Sequence, residues 1–143
     1  MSDQVINAVD QAQAVIAAVY VIPTAGKVAQ AAGSNLKNSV AMADASGRLL
    51  EHVLIHARER TAVVAMGNPY LAADFPDVQN YMCTFSNATV SEVSAVKALF
   101  GEIAIRGHLP VTIPNIAQRG AGMEKPAQLA DRGTSHDTKA SGQ

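Results

Sequence analysis

The chain has no tryptophan, one cysteine, and only three tyrosines and three phenylalanines in 143 residues. A carbohydrate-binding face built from stacked indoles is therefore excluded. A single thiol, Cys83, can close no internal disulfide and build no thiolate zinc cage. Positive charge is scarce as well, with 11 Lys and Arg against 12 Asp and Glu and a formal net charge of −1. Binding along a phosphate backbone draws on a basic excess that releases counterions, so no nucleic-acid partner is expected. No run reaches the roughly 20 apolar residues that span a bilayer. The opening Met1-Ser2-Asp3-Gln4 carries neither a basic region nor an apolar one. No membrane partner is expected, and the compartment is left open.

What is present is enough to build a core: apolar residues make up 48% of the chain and charged residues 16%. Three short runs are apolar throughout, at residues 15–22 (VIAAVYVI), 61–66 (TAVVAM) and 81–85 (YMCTF). Runs of this kind suit strands buried on both faces, as in a parallel sheet covered by helices. Between them, residues 46–60 place Leu49, Leu50, Val53, Leu54 and Ala57 on one arc, with Ser46 as the expected N-cap. Thr89 followed three residues later by Glu92 reads as a capping box, and Val93, Val96, Phe100 and Ile103 recur behind it at helical spacing. Residues 2–11 form a further expected helix, and residues 109–113, between Pro110 and Pro114, a final short strand. The alternation predicts an α/β fold, a three-layer α/β/α sandwich with a mostly parallel sheet, lacking its first βα unit. Residues 1–123 are expected to form the domain and 124–143 a flexible tail, because that segment is polar and without periodicity. Residues 23–45 form a long connection rich in Ala, Gly, Ser and Asn, a length uncommon unless functional.

Few side-chain constellations in the sequence have the spacing that chemistry needs. His52 and His56 stand four residues apart on one helix, the spacing at which two imidazoles share a metal. Glu51 precedes the first histidine, where the zincin pattern needs a Glu after it, and no third ligand is indicated. A structural role is favoured, and neither metal nor cofactor is expected. Cys83 lies inside an apolar run, where a free cysteine behaves as a small hydrophobe. The chain has no G-x-S-x-G elbow, no G-x-G-x-x-G and no P-loop pattern, and Gly120-Ala121-Gly122 reads as a turn.

The segment Gly67-Asn68-Pro69-Tyr70-Leu71-Ala72-Ala73-Asp74-Phe75-Pro76 is the informative one. It leaves the carboxyl end of the second run, where open α/β sheets carry ligand loops. Gly67 permits a sharp exit, and Pro69 biases Asn68 toward an extended backbone. Asn68, Tyr70 and Asp74 can hydrogen-bond a polar ligand or a neighbouring domain, or can simply tie down the loop.

At this point the sequence resembles a known family. Residues 61–70 (TAVVAMGNPY), the ADFP at 73–76, the run 81–86 (YMCTFS), the ALFGE at 98–102 and the RGHLPVTIP at 106–114 resemble the C-terminal α/β domain of glycoside hydrolase family 3. The likeness covers about residues 15–123 and is nearest to the β-N-acetylhexosaminidase-like branch. It implies a separate N-terminal (β/α)8 barrel that carries the nucleophilic Asp and most of the sugar-binding residues, with a carbohydrate substrate of β-linked N-acetylhexosamine or glucose. In β-glucosidase-like members a Glu on a C-terminal-domain loop acts as acid/base. The matching loop here, residues 23–43, contains no Asp or Glu, only Lys27 and Lys37 as charged groups. In the N-acetylglucosaminidase branch that role falls to a His on the barrel, which fits a domain with no catalytic carboxylate. Neither Asp74 nor Glu102 is assigned a catalytic role. The resemblance thus implies a non-catalytic domain, inactive alone. The loops at 23–33, 67–74 and 86–89 would shape or cover the sugar site, and Asn68, Tyr70, Asp74 and Ser86 are the substrate- or domain-interface candidates. The alternatives are a stand-alone module for a sugar or other small ligand, or an oligomerisation module forming a homo-oligomer.

Overall fold

The computed structural model describes residues 3–20 and 44–128. Helix α1 spans Asp3–Gln11, strand β1 Val15–Tyr20 and helix α2 Asp44–Ala57. A 3-10 turn, Arg58–Arg60, leads into β2, Thr61–Met66. A one-turn helix α3, Leu71–Asp74, precedes β3, Asn80–Cys83, and α4 spans Thr89–Leu99. The three strands form one sheet in the order β1-β2-β3. Both pairings are parallel, with Val15 opposite Thr61 on one side of β2 and Ala62 opposite Asn80 on the other. The chain is an α/β protein.

Side chains alternate across a strand, so residues of one parity share a face. The odd-numbered face carries the core. Leu50 and Leu54 of α2, Val63 and Ala65 of β2, and Leu71 and Phe75 around α3 form one buried cluster. Ala17, Val19, Tyr81 and Cys83 pack against it from the flanking strands. The arc expected on α2 is buried at Leu50, Val53, Leu54 and Ala57.

The other face is covered over β2 and open over β1. Val64 is fully buried there, whereas Ile16 stays 50% exposed and Tyr20 is exposed beside it. The expectation that the first run is buried on both faces therefore fails at β1, where burial alternates from half-buried to exposed along the strand. The cause is topological: β1 is an edge strand, and α2 and α3 sit on one side of it.

Element ends differ from the sequence expectations for local reasons. Ser46 lies inside α2, which begins at Asp44. Ala88, in extended conformation, is the N-cap of α4, and no side chain caps that end. The expected Thr89–Glu92 capping box therefore does not form, because Thr89 is the first helical residue rather than the N-cap. Ser86 takes part of its role, its Oγ accepting the Ala88 amide at 3.1 Å. The third strand stops at Cys83, and Phe85 then adopts a left-handed φ of 56° that breaks the extended run.

No strand forms at residues 109–113. Pro110 and Pro114 lack the amide donors a ladder needs. The chain instead folds back on itself as an antiparallel arm. Leu109 donates to Ala121 at 2.8 Å and accepts from Gly120 at 2.8 Å, while Ile105 and Lys125 exchange amides at 2.8 and 3.0 Å. Gln128 donates to the Gly101 carbonyl at 2.8 Å, so residues 124–128 are tied to the body, and the rest of the expected tail lies outside the described residues. Gly122 enables the arm, because a Cβ there would stand 2.6 Å from the Gly107 carbonyl oxygen. At the other end of the chain, α1 buries no residue. Arg60 holds it, Nη2 donating to the carbonyls of Val9 at 3.1 Å and Asp10 at 3.2 Å, the last-turn groups that a cation satisfies well.

Candidate functional site

Parallel strands direct their carboxyl ends the same way, which gathers the exits of β1, β2 and β3 on one rim. Gly67 leaves β2 with φ 97°, a conformation costly for any residue with a Cβ. Asn68 then turns the chain, its Oδ1 accepting the Tyr70 amide at 2.9 Å. This is the Asx geometry that makes Asn common in turns. The Tyr70 carbonyl accepts the Ala73 amide at 3.0 Å, and that of Leu71 accepts the Phe75 amide at 3.3 Å. Leu71, Ala72 and Phe75 are buried beneath the turn. Asn68, Tyr70 and Asp74 remain half-buried, and neither Asn68 nor Asp74 is free of partners.

The β3 exit is built the same way. Thr84 donates its hydroxyl to the Ser86 carbonyl at 2.6 Å, and Ser86 Oγ receives the Ala88 amide. Asn87 Nδ2 donates to the Tyr20 hydroxyl at 2.6 Å. That bond joins the end of β1 to the β3–α4 connection, across the carboxyl end of β2. Ser86 is half-buried, while Tyr20, Phe85 and Asn87 are exposed on the rim.

Two contacts that organise this rim, made by Tyr81 and by the Tyr20–Asn87 pair, are not legible in the sequence. Tyr81 packs its ring against the core and donates its hydroxyl to the Pro69 carbonyl at 2.9 Å, fixing the loop that carries Asn68 and Tyr70. The sequence signals only a phenol at a core-parity strand position, a place that demands a partner for the polar tip. The Tyr20–Asn87 bond had no sequence signal, since its partners lie 67 residues apart.

The electrostatics are those of scaffolding. Burial pushes the Tyr81 phenol above its ordinary value, with the Cys83 thiol beside it adding to the shift. Burial likewise raises the Cys83 thiol to about 11, a hydrogen bond with Tyr81 acting weakly the other way. A nucleophilic cysteine needs the opposite shift. Away from the rim, His52 and His56 stack on α2 with ring centroids 4.3 Å apart, and His52 Nε2 is buried without a hydrogen-bond partner. Among the described residues no group of three or more His, Cys, Asp or Glu could hold a metal ion.

The rim therefore offers amide and hydroxyl groups around Asn68, Tyr70, Ser86 and Asn87, with Asp74 as its candidate carboxylate. Retaining glycoside hydrolysis needs two carboxyl groups about 5–5.5 Å apart. Such a surface can orient a polar ligand or meet another domain. Comparison with protein-family profiles, with characterised proteins and with solved structures found no match for this chain.

Proposed function

We propose that the chain is a non-catalytic C-terminal domain of a family 3 glycoside hydrolase, which shapes the sugar site of a separate (β/α)8 barrel. The GNPY segment carries the reading: Gly67, Asn68, Pro69 and Tyr70 form a braced turn at the carboxyl end of β2, held by the Tyr81–Pro69 bond. Carboxyl-end loops of a parallel sheet are where α/β domains meet ligands. The ADFP segment supports it, since Phe75 anchors the turn in the core while Asp74 stays half-buried at its edge. In this role Asn68, Tyr70, Asp74 and Ser86 face the barrel or the sugar's polar edge, and the barrel supplies the nucleophile and the acid/base. The chain alone is then inactive.

The test mixes the purified chain with a separately produced barrel domain from the N-acetylhexosaminidase-like branch and follows p-nitrophenol release from an aryl β-N-acetylglucosaminide. The chain alone releases none, and mixing raises the barrel's rate. Turnover by the chain alone, or no effect of mixing with both parts folded, counts against the proposal.

A further inference from the structure

Helix α4 shows an apolar stripe to solvent, and that stripe has the pattern of a helix-pairing seam. At 3.6 residues per turn, Val93, Val96 and Phe100 lie along one side of α4 and its C-cap, while Ser94, Ala95 and Ala98 lie opposite. The opposite side faces the domain: Ala95 is buried, and Ser94, Ala95 and Ala98 line an open groove with Met82 of β3 and Thr84 just beyond it. Among the described residues nothing covers the outward side. Val93 is 48% exposed, Val96 54% and Phe100 64%. Spacings of three and four between these residues are those of the a and d positions of a heptad.

The charges flanking the stripe select the occupant. Glu92 precedes the first valine and Lys97 follows the second, both exposed and five residues apart. In heptad terms they are a g and the next e, the positions that pair between parallel helices from i to i+5. A parallel two-fold pair sets Glu92 of each copy against Lys97 of the other, twice. An antiparallel pair sets like flanks together, g against g and e against e, and forms neither bridge. We infer that α4 is the contact surface of a parallel, two-fold homodimer, with Val93, Val96 and Phe100 each meeting its own copy. The helix is 11 residues long, and its stripe falls short of the roughly 800 Å² per partner of a stable interface. The dimer is accordingly a weak one, with a dissociation constant between about 1 μM and 1 mM. This inference does not depend on the glycosidase reading, because it is read on the chain alone.

Sedimentation equilibrium of the full chain from about 10 μM to about 1 mM tests it, with circular dichroism checking that each variant is folded. The average mass should rise toward that of a dimer, and Val96→Glu, or the milder Val96→Ser, should return it to the monomer. Glu92→Lys alone should weaken association roughly 2- to 10-fold, and Glu92→Lys with Lys97→Glu should restore it. In a Cys83→Ala background, Val93→Cys should cross-link to itself on mild oxidation. A monomer at every concentration overturns the inference. So does a dimer indifferent to Val96, a charge swap without rescue, or a Val93→Cys chain that cross-links only to a Val96→Cys chain.

Discussion

Tyr81 joins the core to the rim in one side chain. Its ring packs on the cluster around Leu54 and Val63, and its hydroxyl holds the Pro69 carbonyl at 2.9 Å. Tyr81→Phe keeps the ring and leaves that carbonyl without its donor, at an expected cost of about 1–2 kcal/mol, measured as a shift in the urea midpoint. The neighbouring Cys83 gives a pH signature. Its thiol is raised from 9.0 unfolded to about 11 in the fold, so the folded state favours the proton. The stability carried by the neutral thiol is fully present below pH 9 and is lost as pH rises toward 11, and Tyr81, shifted the same way, extends the fall. Denaturation series should be flat in this contribution below pH 9 and decline above it, and Cys83→Ala should make the decline shallower. A slope of opposite sign would place the thiolate, rather than the thiol, in the fold.

Among the elements, those with strong periodicity were legible and those set by long-range contacts were not. TAVVAM reads as a buried strand because β2 is central, flanked on both sides and covered on both faces at Val63 and Val64. VIAAVY is just as apolar, yet its place at the edge of the described sheet leaves Ile16 half in solvent, and sequence does not record strand order. The one-turn α3 escaped notice for a related reason. Four residues give almost no periodicity, and this helix is held by burial of Leu71 and Ala72 rather than by a cap. Leu71→Ala should therefore cost about 2–5 kcal/mol and release the Asn68 turn, read as faster hydrogen exchange at the Tyr70 and Ala73 amides. On α4 the stripe Val93, Val96 and Phe100 looks like a core face from spacing alone, and in the structure it points outward. Spacing locates an apolar face without saying which molecule covers it. The candidate residues Asn68, Tyr70, Asp74 and Ser86 were found from loop position and turn chemistry, whereas their braces, Tyr81 and Asn87, depend on contacts across the sheet.

At the scale of the molecule, the described residues form a three-stranded parallel sheet with one well-covered face and leave two kinds of surface for partners. The open face at Ile16 and the α4 stripe are apolar, and the carboxyl rim is polar and braced. If the proposed role holds, the polar groups of this rim complete a site whose two carboxylates belong to the barrel. The most direct measurement is a calorimetric titration of the chain into a family 3 barrel domain, repeated with Tyr70→Ala and Asn68→Ala after each variant is verified as folded. The account predicts saturable 1:1 binding, weakened about 10-fold or more by either substitution, the loss of about 1.4 kcal/mol of contact. Folded chain that gives no binding heat at any temperature tried, or that binds identically with Asn68 and Tyr70 truncated, would contradict it.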